Sequence, residues 1–143
     1  MGAWVGGMTQ TSKSDNEEDV DSSGISYGLN AKIAGFSLTG SGFTGSGLNT
    51  LLGAFGAVTD GEDATGYLVQ GSYTIDKFRF VGSYGDTQVD NVTDDENQLV
   101  AGAIFYTIND YLKLVAEYNV NTITIGAAEE KTDTIAFGLI ASF

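Results

Sequence analysis

The sequence predicts an all-β fold: an antiparallel, up-and-down transmembrane β-barrel to which this chain contributes eight strands. Three observations carry that expectation. Apolar and polar residues alternate with a period of two along most segments, no stretch shows a helical period, and nearly all the acidic charge falls in the polar connections. Composition agrees with an ordered chain. Its 143 residues carry 19 acidic and 6 basic groups, a net charge of −13, yet 42% of them are hydrophobic. That apolar content separates it from a disordered acidic tail, and the length fits a single domain over 1–143.

Taken in chain order, residues 2–11 are extended in character without a clear choice of face. From Ile25, one face reads Ile25, Tyr27, Leu29, Ala31, Ile33 and the other Ser26, Gly28, Asn30, Lys32. The strand at 36–44 is Gly-rich, with Ser37, Thr39 and Ser41 on its polar face. Tyr67, Val69, Gly71, Tyr73 and Ile75 then alternate with Leu68, Gln70, Ser72 and Thr74, and Phe78, Phe80, Gly82 and Tyr84 with Arg79, Val81 and Ser83. Residues 97–108 are extended but again without a clear face. Leu112, Leu114, Ala116, Tyr118 and Val120 oppose Lys113, Val115, Glu117 and Asn119. The final strand sets Ile135, Phe137, Leu139, Ala141 and Phe143 against Thr134, Ala136, Gly138, Ile140 and Ser142.

Ala34-Gly35, Asp76-Lys77 and Asn109-Asp110 have the chemistry of two-residue hairpin turns. Longer polar links are expected at 12–22, 45–63, 87–96 and 122–131, so that long and short connections alternate. Sixteen of the 19 acidic residues lie in or beside those long links, leaving Asp76 and Asp110 in short turns and Glu117 within a strand. One end of the molecule is therefore strongly acidic. The link 45–63 stands apart, because Leu48, Leu51, Leu52, Phe55 and Val58 suit packing at the barrel rim.

Alternation alone fits a soluble β-sandwich as well, with the apolar face turned inward. Aromatic placement favours the membrane. Tyr27, Tyr67, Tyr84 and Tyr118 lie on apolar faces far from the short turns, whereas Phe36, Tyr73, Phe78 and Tyr111 lie close to them. About eight tilted residues separate the two sets, a climb of roughly 20 Å, which suits an aromatic girdle at each membrane interface. The absence of Pro fits strands that must all pair. No apolar run reaches the roughly 18 residues of a membrane helix, and Met1–Met8 lacks the basic start and apolar core of a signal peptide.

The terminal stretch Thr134-Ile-Ala-Phe-Gly-Leu-Ile-Ala-Ser-Phe143 resembles the C-terminal assembly signal of bacterial outer-membrane barrels, with Ile135, Phe137, Leu139, Ala141 and Phe143 at alternate positions. More widely, Gly47 to Ala57, Thr65 to Thr74, Lys77 to Tyr84, Leu112 to Tyr118 and the final strand are similar to the C-terminal half of Gram-negative general porins, over roughly residues 23–143. The resemblance implies eight strands of a 16-stranded barrel, a trimer, passive diffusion of ions and small hydrophilic solutes, and the bacterial outer membrane as location. It further implies outer-membrane lipid, lipopolysaccharide and the barrel-assembly machinery as partners. This sequence departs from the pattern in lacking the N-terminal half.

A stand-alone eight-stranded barrel with a structural or adhesion role through its acidic loops is the alternative. The inward residues bear on the choice. Lys32, Arg79, Lys113 and Glu117 fall on polar faces and are candidate pore-lining groups; unpaired cations sealed inside a narrow barrel would cost several kcal/mol each, but little against water. Small inward groups such as Ser26, Gly28, Ser72 and Ser83 also leave room for a wide lumen. The acidic loops suit loosely held Ca²⁺ or Mg²⁺ but lack the Gly-centred spacing of a calcium loop, so no specific metal site and no cofactor is expected. Without Cys or His there is no thiolate or imidazole chemistry, and no enzyme is expected. A pI near 4.1 argues against nucleic acid.

Overall fold

The computed structural model describes residues 1–14, 17–47, 62–90 and 94–142, with side chains described throughout these ranges except at 12–20. Eight strands make one sheet: β1 (Gly2–Ser14), β2 (Glu17–Ile33), β3 (Phe36–Ser46), β4 (Asp63–Ile75), β5 (Phe78–Asp90), β6 (Asp95–Asn109), β7 (Leu112–Ile125) and β8 (Ala128–Ala141). Their spatial order is their sequence order, and every neighbouring pair is antiparallel. The sheet is open. No ladder joins β1 to β8 among the described residues, so each presents a free edge.

The sheet is a single layer. Only Ala64 and Val89 are buried apolar residues among those described, with Phe43 packed beside them. The accessible surface is 9676 Å², against about 7,000 Å² for a compact soluble chain of 15.0 kDa. A soluble sandwich needs a second layer over its apolar face; here that face is open. Phe137 is 82% exposed, and Ile33, Leu38, Tyr67 and Ile135 are also largely exposed.

Register unifies the faces read strand by strand. Tyr27 pairs with Gly42 and Gly42 with Tyr67; Val69 pairs with Tyr84, Tyr84 with Val100, and Val100 with Val120. Paired residues share a face, so the apolar sets of β2, β4, β5, β7 and β8 form one continuous outer surface. The same register assigns the two ambiguous segments. Val5 pairs with Tyr27 and faces out, placing Trp4 on the inner face. On β6, Val100 and Ile104 face out, while Leu99 and Phe105 face in. Mixed apolar residues on both faces had hidden the choice.

At one end, Ala34-Gly35 and Asp76-Lys77 are two-residue turns, with positive φ at Ala34 (46°), Gly35 (87°) and Asp76 (52°). The third turn is Asp110-Tyr111 rather than Asn109-Asp110. A bulge at Thr107/Asn109 moves it one residue on, and Asn109 Oδ1 accepts from the Tyr111 amide at 2.9 Å, closing an Asx-type turn. The three turns are tied sideways: Gly35, Lys77 and Tyr111 carbonyls accept from the amides of Thr74, Thr107 and Ser142 at 2.8–2.9 Å.

The opposite end departs from the expected regular series of long links. β7 runs to Ile125 and β8 starts at Ala128, joined by Gly126-Ala127 with Gly126 at φ 58°. β1 and β2 are likewise separated by only 15–16, and β5 and β6 by 91–94. Three expected long links are thus mostly strand. Their polar, charged residues resemble loop in composition, yet cross-strand pairing carries the ladder through them. Only the connection between β3 and β4 is long, and Gly47 N–H donating to the Glu62 carbonyl at 2.9 Å ties its base. The apolar residues Leu48, Leu51, Leu52, Phe55 and Val58 expected to pack there lie outside the described residues.

Candidate functional site

The outer face fixes a vertical scale for the inner one. On β5 it is apolar from Phe78 to Tyr84 and then turns to Asp86, Gln88 and Asp90; on β8 Phe137 and Ile135 give way to Asp133, Lys131 and Glu129. Tyr118 Oη donates to Asp133 Oδ1 at 2.9 Å at this boundary. Tyr27, Tyr67, Tyr84 and Tyr118 all stand on the outer face where it changes from apolar to polar. Nearer the short turns, Phe36 stacks on Tyr73 with centroids 4.2 Å apart, and Phe78 meets Tyr106 at 4.9 Å. Tyr111 sits in a turn and is 69% exposed. Of the terminal set, Ile135, Phe137, Leu139 and Ala141 share the outer face of β8, opposite Tyr118, Ala116, Leu114 and Leu112; Phe143 lies outside the described residues.

Lys32, Arg79, Lys113 and Glu117 stand on the inner face. Lys32 pairs with Ser37, Ser37 with Ser72, Ser72 with Val81, Val81 with Ala103, and Ala103 with Glu117. These two residues therefore stand at the ends of one row that runs through five strand spacings. Arg79 is nearer the middle. Its Nη2 donates to Ser72 Oγ at 3.4 Å and its guanidinium lies 5.9 Å from the centre of the Phe105 ring. Glu117 accepts from Asn119 Nδ2 at 3.1 Å and shares with Arg79 a shallow recess of about 280 Å³.

The three cations follow a rule that strand-by-strand reading missed. Lys32 is five residues from Tyr27 on β2, Arg79 five from Tyr84 on β5, and Lys113 five from Tyr118 on β7, each toward the short turns. An odd spacing puts each cation on the face opposite its tyrosine. Five residues are about 16 Å along a strand and about 13 Å of height at a tilt near 40°. The tyrosines step down in register from β2 to β7, as strand stagger in a tilted sheet requires, and the cations step down with them. Their signal is Tyr-x₄-Lys in one strand direction and Lys/Arg-x₄-Tyr in the other, legible only once strand direction is known.

Nearer the acidic end the inner face carries Trp4, Phe43, Leu68 and Leu99 around a recess of about 510 Å³, together with Asn97 and Asn121. None of these was a candidate site residue from the sequence: Trp4, Asn97 and Leu99 lie on β1 and β6, which had no assigned face, and the grouping of the others with them depends on register. Among the described residues no three carboxylates come together closely enough to hold a metal ion. No described helix is long and apolar enough to cross a membrane.

The arrangement is a one-layer sheet with an apolar band bounded by tyrosines on one face and a more polar, partly basic set of residues on the other. Comparison with curated proteins and with solved structures returns no match. The family model described as Gram-negative porin matches residues 1–125, all of β1 to β7 but not β8. That match reaches the N-terminal strand left out of the resemblance above and covers most of the chain: the protein belongs to the Gram-negative porins.

Proposed function

We propose that this chain forms one wall of a passive diffusion channel, eight strands of a 16-stranded barrel that passes ions and small hydrophilic solutes. Family membership locates it in the bacterial outer membrane as part of a porin-type channel. The single observation that carries the finer reading is the face opposite the apolar band, which holds Lys32, Arg79 and Lys113, each five residues from a boundary tyrosine on its own strand. Basic groups along one wall create a transverse field that biases ion passage. The unpaired edges at β1 and β8 must be paired within a membrane, and in this proposal further strands pair them. Trimer formation, contact with lipopolysaccharide and delivery by the barrel-assembly machinery belong to the same proposal. So does the terminal strand as the signal that machinery reads, with Phe143 at its end.

The acidic end favours cations at the mouth, whereas the basic level opposes them further in. Planar-bilayer conductance of the complete assembly tests the channel, with ohmic current expected and a silent bilayer overturning it. Reversal potentials in a salt gradient test the wall. Replacing Lys32, Arg79 and Lys113 together by Gln shifts the potential toward greater cation preference; an unchanged potential removes them from the conducting path.

A further inference from the structure

We propose that the recess beneath Trp4 is a subsite for a neutral, hydroxylated solute with one flat apolar face, of the sugar type, held on the channel wall. The inference rests on the inner face lining an aqueous lumen, as proposed above. It draws on two adjacent inward rows of the sheet.

In the first row Trp4 pairs with Gly28 and, strand by strand, with Ser41, Leu68, Gly85, Leu99 and Asn121. In the second, Ser26 leads through Phe43, Gly66 and Thr87 to Asn97. The glycines shape the recess. A Cβ on Gly28 would collide with the Trp4 ring, and one on Gly66 with the Phe43 ring, so each ring lies flat against a bare stretch of neighbouring backbone. Trp4 is nonetheless 46% exposed, so the ring face away from Gly28 remains open. A flat indole supported from behind is a stacking platform for a ring with C–H groups on one side.

The polar groups specify what accompanies that face. Asn97 Oδ1 is buried and has no hydrogen-bond partner, an unmet acceptor worth about 1–3 kcal/mol if satisfied. Asn97 itself lines the recess, so a hydroxylated solute held there meets its amide. Asn121, Ser41 and Thr87 add donors and acceptors around the same volume. No Lys, Arg, Asp or Glu stands in either row across β1 to β7; Asp86 also lines the recess, but its register with Tyr67 sets it on the other face. A charged solute would meet no counter-charge here, whereas a neutral hydroxylated one meets both an apolar floor and hydrogen-bonding groups. At about 510 Å³ the recess is of small-molecule size.

Trp4 is the only tryptophan in the chain, so its fluorescence reports on the recess alone. The assembled protein is titrated with maltose, and separately with sodium gluconate, which has hydroxyls but a charge and no ring. Saturable change with maltose and none with gluconate is expected. Asn97→Ala and Asn121→Ala, each with wild-type circular dichroism, should weaken the maltose response about 3- to 10-fold, the loss of one neutral hydrogen bond. No saturable response, an equal response to gluconate, or full retention in both variants overturns the proposal. Salt conductance is measured on the same preparation. Conductance without a maltose response removes the subsite and leaves the channel; a maltose response without conductance does the reverse.

Discussion

Val69 and Gln70 are adjacent on β4, yet they belong to different media. Val69 pairs with Gly40 and Tyr84 on the outer band, and Gln70 with Thr39 and Ser83 on the inner wall. Across the whole sheet the two faces obey different rules. The outer face is uniformly apolar between its aromatic levels, while the inner face tolerates Lys, Arg, Glu, Asn, Trp and Phe side by side. Lipid offers no partner to a charge, so one misplaced side chain is costly; water solvates almost anything, so the inner wall is free to vary with function.

The sharpest test of that contrast places one charge on each side. Val69→Arg puts a cation into the apolar band and should cost about 2–4 kcal/mol, seen as loss of folded, heat-modifiable protein in urea titrations. Gln70→Arg should stay within about 0.5 kcal/mol of the parent and change only conductance. Equal losses from the two would mean that both faces are dry. A smaller effect is expected where a ring lies on glycine. Gly28→Val displaces Trp4 from the wall, at a cost of about 1–3 kcal/mol and with a red shift of its emission as it swings into water. Unshifted emission would show that Trp4 does not rest there. The smallest change is at the boundary. Tyr118→Phe removes the hydroxyl bond to Asp133 in an exposed setting, for at most about 1 kcal/mol, read as a slight drop in the urea midpoint.

The antiparallel all-β character and the faces of six strands were legible because alternation is local: a residue and its second neighbour share a face whatever the rest of the chain does. The turns Ala34-Gly35 and Asp76-Lys77 were legible for the same reason, since turn chemistry lies within two residues. At Asn109 the reading slipped by one, because a bulge depends on the partner strand as well as on the turn residues. The polar ends of β5, β6, β7 and β8 looked like loops, because period-two patterning vanishes when both faces meet water. Pairing holds those ends as strand all the same.

Sequence by itself determined the antiparallel β character, the apolar band, the sorting of acidic charge to one end and the placement of Lys32, Arg79, Lys113 and Glu117 on the face opposite that band. Only the tertiary structure decided what stands at the same height. The meeting of Trp4, Phe43, Asn97 and Asn121 around one recess depends on the register of strands more than a hundred residues apart. The openness of the sheet is equally non-local. Alternation says which way a side chain points, but hydrogen-bonded register and stagger decide which other side chains it meets.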